Sequence, residues 1–361
     1  MKKLFYSGMF LWLVFEVLNI YFIMPMPGSQ DMQSVEAAHF LHAGRWLFRL
    51  GFGLMIAIGM RQAWSGRKWM AVATAGLTLT LVAVINLKMS ADVMFLQPRQ
   101  LRMQDAGSNG VPLDKLVLGI EYQGEARAYP IQLIAYHHQV VDTIAGKPLM
   151  ITYCSVCRTG RVFEPMVGGQ RETFRLVGMD HFNAMFEDAN SGTWWRQANG
   201  EAVAGKLKGQ FLPEWPSLQT SLRTWLALHP RSRIMQPDPA FADEYASLES
   251  FETGRRSGGL TGTDTAYGAD KSWVVGIAAN GQSKAYDWNR LRKARILHDE
   301  VGGKPVLLVL ASDDQSFFAF GRPNASDTFA LSQDTILGPN GKFSLDGKPF
   351  LDGTALQPVA A

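Results

Sequence analysis

The chain has two cysteines among its 361 residues, and they stand together in Tyr153-Cys154-Ser155-Val156-Cys157-Arg158. A C-x-x-C spacing lets both sulfurs face one point, which suits a reversible disulfide or two thiolate ligands to a soft metal. A passive bridge is the plain alternative. Closing so small a ring contributes only ~2 kcal/mol, against ~3 kcal/mol for a fifteen-residue loop, so redox or metal use is the stronger reading. Covalent haem attachment needs His directly after the second Cys, and that residue is Arg158. A thioredoxin-type centre opens a helix, whereas Arg158 to Phe163 reads as turn and strand. A closed zinc site needs two more ligands, and the sequence holds no second C-x-x-C.

Groups that could tune the sulfurs lie nearby in sequence. Arg158 and Arg161 favour the anion of a neighbouring thiol. His138, next to His137 at the end of a predicted helix, is the expected proton donor or third ligand, and His181 is the other histidine of this region. The expected catalytic set is Cys154, Cys157, His138 and Arg158. Under the metal alternative Cys154, Cys157 and His138 hold Cu(I) or Zn(II), with Met185 a further soft donor. The dithiol reading requires no cofactor.

The cysteines need a scaffold, and the flanking sequence supplies strands. Val117 to Tyr122, Ala126 to Ile131 and Leu149 to Tyr153 are β-branched and aromatic runs bounded by Gly and Pro, and Gln132 to Val141 between them is predicted to be one helix. Shifting the chain by 157 residues aligns Gly119-Ile120, Gly124, Ala128-Tyr129, Asp142 and Gly146-Lys147-Pro148 with Gly276-Ile277, Gly281, Ala285-Tyr286, Asp299 and Gly303-Lys304-Pro305, without a gap. Such self-similarity implies an internal duplication. On the same offset Cys154 meets Ala311 and Cys157 meets Asp314, so one copy carries the motif and the other does not.

The long apolar runs fall before residue 90. Leu4 to Met24, Gly44 to Met60 and Trp69 to Leu87 are each about long enough for a ~30 Å hydrocarbon core. A removable leader is disfavoured, because Met24-Pro25-Met26-Pro27-Gly28 is a poor cleavage site and two further spans follow. Lys2, Lys3, Arg61, Arg67 and Lys68 would share one side, while 25–43 holds no Lys or Arg, which puts the N-terminus inside and the C-terminal region outside. Glu16 and Arg49 fall within spans and are expected to pair, since an isolated charge in lipid is costly. Glu36, His39 and His42 recur every three residues just outside the second span, where a solvated interfacial helix start is the expected reading and a metal or quinone contact the alternative.

The expected fold class is α+β: three N-terminal transmembrane helices (1–90), a linker (91–112), a first soluble lobe with the C-x-x-C (113–244), a connection (245–269) and a degenerate second lobe (270–361). A net charge of +3, spread along the chain, leaves no nucleic-acid footprint. The expected partners are the lipid bilayer and a redox protein or other membrane subunits. The expected place is the bacterial inner membrane, multi-pass, with the C-terminal region periplasmic.

Gly119, Ala126-Arg127-Ala128-Tyr129-Pro130, His138, Val140-Val141, Tyr153-Cys154-x-x-Cys157, Asp188, Trp195, Gln197, Gly200, Ala202 and Gly205 together resemble a bacterial membrane-anchored family, domain of unknown function 3179. The resemblance covers most of 113–358. It implies a redox-capable site, because some relatives are selenoproteins with selenocysteine in the cysteine motif, and selenium is kept where nucleophilicity or redox cycling matters. The chain departs from the family pattern at Gln139, usually Glu, at Asp142-Thr143, usually Asn-Asp, and at Ser155, often Pro. These residues lead to a membrane-tethered, extracytoplasmic thiol–disulfide oxidoreductase as the first expectation. A soft-metal module and a non-catalytic scaffold are the alternatives.

Overall fold

The structure, a computed structural model, describes residues 1–249 and 272–359. It is a mixed α/β chain, helical at the N-terminus and β-rich after residue 100. The helices are α1 (Lys2–Tyr21), α2 (Val35–Ala43), α3 (Arg45–Trp64), α4 (Lys68–Lys88) and the single turn α5 (Ala91–Met94). Helices α1 and α4 are long and apolar enough to cross a membrane, whereas α3 meets that test only jointly with α2, from which it is bent by 60°. The expected second span is thus half of a bent pair. Arg45, Arg49 and Arg61 dilute its apolar content, and Gly44 stands at the bend. The first helix stops at Tyr21, short of the expected Met24, before Pro25 and Pro27.

Close packing of α1 on α3 depends on small residues. A Cβ on Gly59 would sit 2.4 Å from the Phe5 backbone nitrogen, so the two helices approach to backbone contact there. Arg49 reaches across the bundle, its Nε 2.7 Å from Glu16 Oε1 and its Nη2 2.7 Å from Asn86 Oδ1 on α4. The expected Glu16–Arg49 pair is therefore present and is completed by an amide from a third helix. Outward, α3 exposes Trp46, Leu47, Leu50, Leu54 and Ile58, and α4 exposes Trp69, Val72, Leu77 and Leu87.

Beyond the helices the chain forms two compact units that interleave in sequence. One comprises 1–97, 137–141 and 148–215; the other comprises 98–136, 142–147 and the described residues from 216 onward. The elements, in order, are β1 (Arg102–Asp105), β2 (Leu116–Tyr122), β3 (Glu125–Pro130), α6 (Ile131–His137), β4 (Gln139–Ile144), β5 (Lys147–Cys154), β6 (Thr159–Phe163), the hairpin β7 (Met166–Val167) and β8 (Gln170–Arg171), β9 (Phe174–Asp180), β10 (Asn183–Asp188), β11 (Trp194–Arg196), β12 (Ala202–Ala204), β13 (Glu214–Trp215), β14 (Leu218–Ser221), α7 (Leu222–Leu228), β15 (Arg233–Gln236), α8 (Ala242–Ser247), β16 (Val274–Ala279), β17 (Gln282–Asp287), α9 (Trp288–Ala294), β18 (Ile296–Val301), β19 (Lys304–Leu310), β20 (Phe317–Gly321), the meander β21 (Ala330–Ser332), β22 (Thr335–Gly338) and β23 (Gly341–Phe343), and β24 (Gln357–Pro358).

In the first unit the sheets run β13-β6-β5-β4 and β12-β11-β10-β9. Cys154 packs in a core with Leu176, Ala184 and Phe186 from the second sheet and with Ala91 of α5. The helical segment is joined to this unit by main chain: Met179 N donates to Ile23 O at 2.8 Å, and Gly178 leaves the room, since a Cβ there would lie 2.2 Å from that oxygen. Polar bonds add to the joint. Arg175 bonds Glu187 at 2.8 Å and Asp92 at 3.2 Å and contacts His42 Nε2 at 2.9 Å.

In the second unit the order β1-β15-β3-β2-β14 packs on α7, where Trp225 fills the space that a Cβ on Gly119 would occupy at 2.3 Å. Stretch 91–112, expected as linker, contains α5 and β1; the polar Arg102–Asp105 has no strand signature of its own and is held by antiparallel pairing to β15. The expected helix over 132–141 ends at His137. His138 takes a left-handed φ of +58°, and β4 begins at Gln139. Of the expected connection 245–269, residues 250–269 lie outside the described residues.

The succession β2-β3-α6-β4-β5 recurs as β16-β17-α9-β18-β19, each element displaced by about the same interval. Positive φ angles recur in step: Gln123 +49° and Asn280 +49°, His138 +58° and Arg295 +65°, Gly146 +80° and Gly303 +73°. Side chains recur as well. Tyr129 donates to Asp142 at 2.6 Å with Arg127 Nε 3.8 Å from the same carboxylate, and Tyr286 lies beside Asp299, whose carboxylate is 2.6 Å from Lys284 Nζ. In both, burial and the adjacent negative charge push the phenol upward.

Candidate functional site

The cysteine motif is the loop of a β-hairpin. Strand β5 ends at Cys154, which pairs with Thr159 at the start of β6, leaving Ser155 to Arg158 as a four-residue loop closed by Arg158 at φ +53°. This geometry puts the two sulfurs in different surroundings. Cys154 is 1% exposed, whereas Cys157 faces solvent, and both are free thiols.

The Cys154 sulfur sits in a nest of donors. The Cys157 thiol and the backbone amides of Cys157, Ala184 and Val156 all bond to it and, against the burial that opposes charge, hold the Cys154 thiol down to about 7. The Phe182 carbonyl lies 3.6 Å away and can accept its proton when it is a thiol. That carbonyl comes from the β9–β10 turn, where His181 and Phe182 are both left-handed, at +48° and +62°, and the Ala184 amide comes from the start of β10. The turn is pinned by Gln30, whose Oε1 accepts from Phe182 N at 3.2 Å. Two consecutive left-handed residues, one of them presenting its carbonyl to the sulfur, mark a turn held in shape by its surroundings.

Cys157 takes the opposite shift: the anion it faces on Cys154, together with burial of its sulfur, pushes its thiol upward. Asn183 Nδ2 opposes this from 3.0 Å. The orientation of that amide is set, because Asn183 Oδ1 accepts from Ala198 N at 2.8 Å and Nδ2 also reaches Gln197 Oε1 at 3.3 Å. Gln197 in turn donates to Thr152 Oγ1 and to Thr159 O, both at 3.0 Å, tying the network to both strands of the hairpin. The pair thus holds one proton between the anion-stabilised sulfur of Cys154 and the sulfur of Cys157, and the first deprotonation belongs to the pair.

Of the sequence-expected residues, Cys154 and Cys157 are brought together. His138 is buried on the other side of the β5 strand end: its Nδ1 donates to Tyr153 O at 3.0 Å, its carbonyl accepts from Tyr153 N, and its ring meets Phe95 edge-on at 4.6 Å. Burial pushes the imidazole down to about 4, so it is neutral at ordinary pH, and no hydrogen bond among the described residues links it to either sulfur. It braces the residue before Cys154. Arg158 shapes the loop backbone, while the sulfurs take their shifts from amides, Asn183 and each other. His137 Nδ1 bonds Leu96 O at 2.5 Å, and His181 pairs with Asp180 at 2.6 Å. Met185 is fully buried in the core beneath Trp194. Among the described residues no group of three His, Cys, Asp or Glu side chains is arranged to hold a metal ion. Asn183 and the three amides are the residues that motif reading missed. The family pattern held one clue, Gln197, without its reason.

No curated protein matches the chain. No solved structure matches it either. Residues 97–354, which contain the hairpin and its whole donor network, match the model of one family, and the chain belongs to it: the family described as protein of unknown function, DUF3179.

Proposed function

We propose that the chain is a membrane-tethered, extracytoplasmic thiol–disulfide redox protein in which Cys154 and Cys157 cycle between dithiol and disulfide. The observation that carries this reading is the asymmetric pair, with the Cys154 sulfur favoured as thiolate by three amides and the Cys157 thiol, on an exposed residue of the loop, pushed the other way beside it. In the oxidising direction for the pair, Cys157 passes its proton to Cys154 and attacks a partner disulfide. An S–S bond forms between Cys157 and the partner, and the other partner sulfur leaves with the proton returned by Cys154. The Cys154 thiolate then attacks Cys157 Sγ, closing the intramolecular disulfide and releasing the second partner sulfur as thiolate. Two electrons pass from the pair to the partner, and the reverse sequence reduces the pair.

The anchoring rests on three spans, α1, the bent α2–α3 pair and α4, whose exposed apolar side chains suit lipid. Lys2 lies within 3.4 Å of the space over Gly66, so the N-terminus and the α3–α4 turn share one basic end, which is the cytoplasmic end by the positive-charge rule. The recurring Tyr-Asp-base clusters and φ pattern support a duplicated, two-lobed soluble region whose second copy lacks the cysteines. For the soft-metal alternative, no His, Asp or Glu among the described residues joins the two sulfurs to make a group of three.

Equilibrating the purified full chain in glutathione buffers and counting alkylatable thiols tests the reading. A two-electron transition is expected, with a mixed disulfide trapped on Cys157 in Cys154→Ser and none on Cys154 in Cys157→Ser. A pair that stays fully reduced under oxidised glutathione would sink it.

A further inference from the structure

A cavity of about 350 Å³ opens where the ends of α1 and α4 meet α5 and β9, lined on one side by Ile20, Ile23, Ile85 and Met89 and on the other by polar groups. Its polar wall carries Arg45, Arg49 and Arg175, with Asp92 as the one lining carboxylate. The charges are not evenly matched. Arg49 is taken by Glu16, and Arg175 by Glu187 and Asp92. Among the described residues Arg45, half-buried, donates to the His42 carbonyl at 2.7 Å and has no carboxylate within ion-pair distance; the nearest negative charge acting on it is that of Glu187, which Arg175 already holds. A second group is also unsatisfied: Asn19, 7% exposed, has its side-chain oxygen buried in this wall without a hydrogen-bond partner. A guanidinium without an ion pair of its own calls for an anion, and an orphaned carbonyl oxygen calls for a hydroxyl.

We propose that this cavity binds a hydroxyl-bearing phosphate ester, with Arg45 on the phosphate and Asn19 Oδ1 accepting from the hydroxyl. Guanidinium geometry matches phosphate oxygens in pairs, and α1 and α4, which supply Ile20 and Ile85 to the apolar wall, also expose Val17, Leu18, Val84 and Leu87, against which acyl chains would lie. The source is either a phospholipid head group, which rests on the anchoring proposed above, or a soluble ester, and the two share the chemistry. The site is independent of the cysteines.

The test uses the full chain in detergent, with its thermal midpoint followed as phosphatidylglycerol, phosphatidylcholine or glycerol 3-phosphate is added. A rise with phosphatidylglycerol, none with phosphatidylcholine, and binding weakened about tenfold or more in Arg45→Gln are expected. Arg45→Lys, which keeps the charge without the fork, should fall between. A matching rise with glycerol 3-phosphate assigns the site to a soluble ester; a rise with the lipid alone assigns it to the membrane. No rise with either, equal rises with both lipids, or unchanged binding in Arg45→Gln overturns the proposal. Alkaline extraction of membranes separates the premises, because a chain released to the supernatant defeats the anchoring and leaves the soluble arm standing. An unchanged thiol titration in Arg45→Gln shows that the variant is folded.

Discussion

Replacing Cys157 by alanine isolates what holds the Cys154 proton. In the native pair the largest stabilising contribution is the Cys157 S–H, followed by the amides of Cys157, Ala184 and Val156, and together they bring Cys154 to about 7. Alanine keeps its own amide in the hairpin loop and removes only the thiol donor. A hydrogen bond to a charged group contributes ~1.5–3 kcal/mol, and one pKa unit corresponds to ~1.36 kcal/mol, so the Cys154 midpoint should rise by roughly one to two units. At neutral pH the thiolate fraction would fall from about one half to roughly 1–10%. Serine at the same place keeps an O–H donor and should restore part of the shift. The measurement is the ultraviolet absorbance of the thiolate against pH for the reduced full chain, with the Cys154→Ala/Cys157→Ala double variant subtracted. A wild-type midpoint near the free-thiol value of ~8.5 would refute anion stabilisation. An alanine variant titrating as low as wild type would show that the amides suffice and that the two sulfurs are not coupled.

Three other outcomes follow from the geometry. Because the folded state holds His138 near 4 while the unfolded chain takes up its proton near 6.5, stability should fall as pH drops from 6.5 through 4 by about 3 kcal/mol, with no contribution above 6.5; unfolding midpoints across that range should lose this slope in His138→Asn. Glu16→Gln leaves Arg49 without its carboxylate inside the bundle and should cost about 3–5 kcal/mol by thermal unfolding in detergent, with Glu16→Gln/Arg49→Met recovering a large part; equal losses in single and double variants would count against the pair. Gly119→Ala must displace the Trp225 ring and should cost ~1–3 kcal/mol while leaving the thiol titration unmoved; an unaffected unfolding midpoint would contradict the packing.

How far the sequence leads depends on whether a feature is written locally. The strands around the motif were legible because β-branched residues alternate between Gly and Pro turns, and the Glu16–Arg49 pair because charges inside apolar helices have few options besides each other. The end of α6 at His137 was not, since the left-handed turn at His138 goes with two bonds to Tyr153 in the next hairpin, one from the Tyr153 amide to the His138 carbonyl and one from the His138 ring to the Tyr153 carbonyl. Strand β1 was hidden for a similar reason: Arg102–Asp105 is extended only because β15 pairs with it. At the site, the two sulfurs were plain but their inequality was not. It is produced by Asn183, Ala184 and the strained Phe182 turn, which lie nearly thirty residues downstream and reach the cysteines through sheet packing. The motif suggested His138 as the sulfur's helper, whereas the groups bonded to the sulfurs are an asparagine and backbone amides.

The bond from Met179 to the Ile23 carbonyl, with Gln30 reaching the Phe182 turn, has a mechanical consequence. The segment following the first helix is stitched into the same sheet that cradles the sulfurs, so the cysteines do not ride on a slack leash. On the proposed anchoring they work at a set height above the bilayer, and any protein exchanging disulfides with them has to bring its own sulfurs to that level. Lengthening the tether after residue 97 would leave that height unchanged, whereas cutting the stitch at Gly178 would set it adrift.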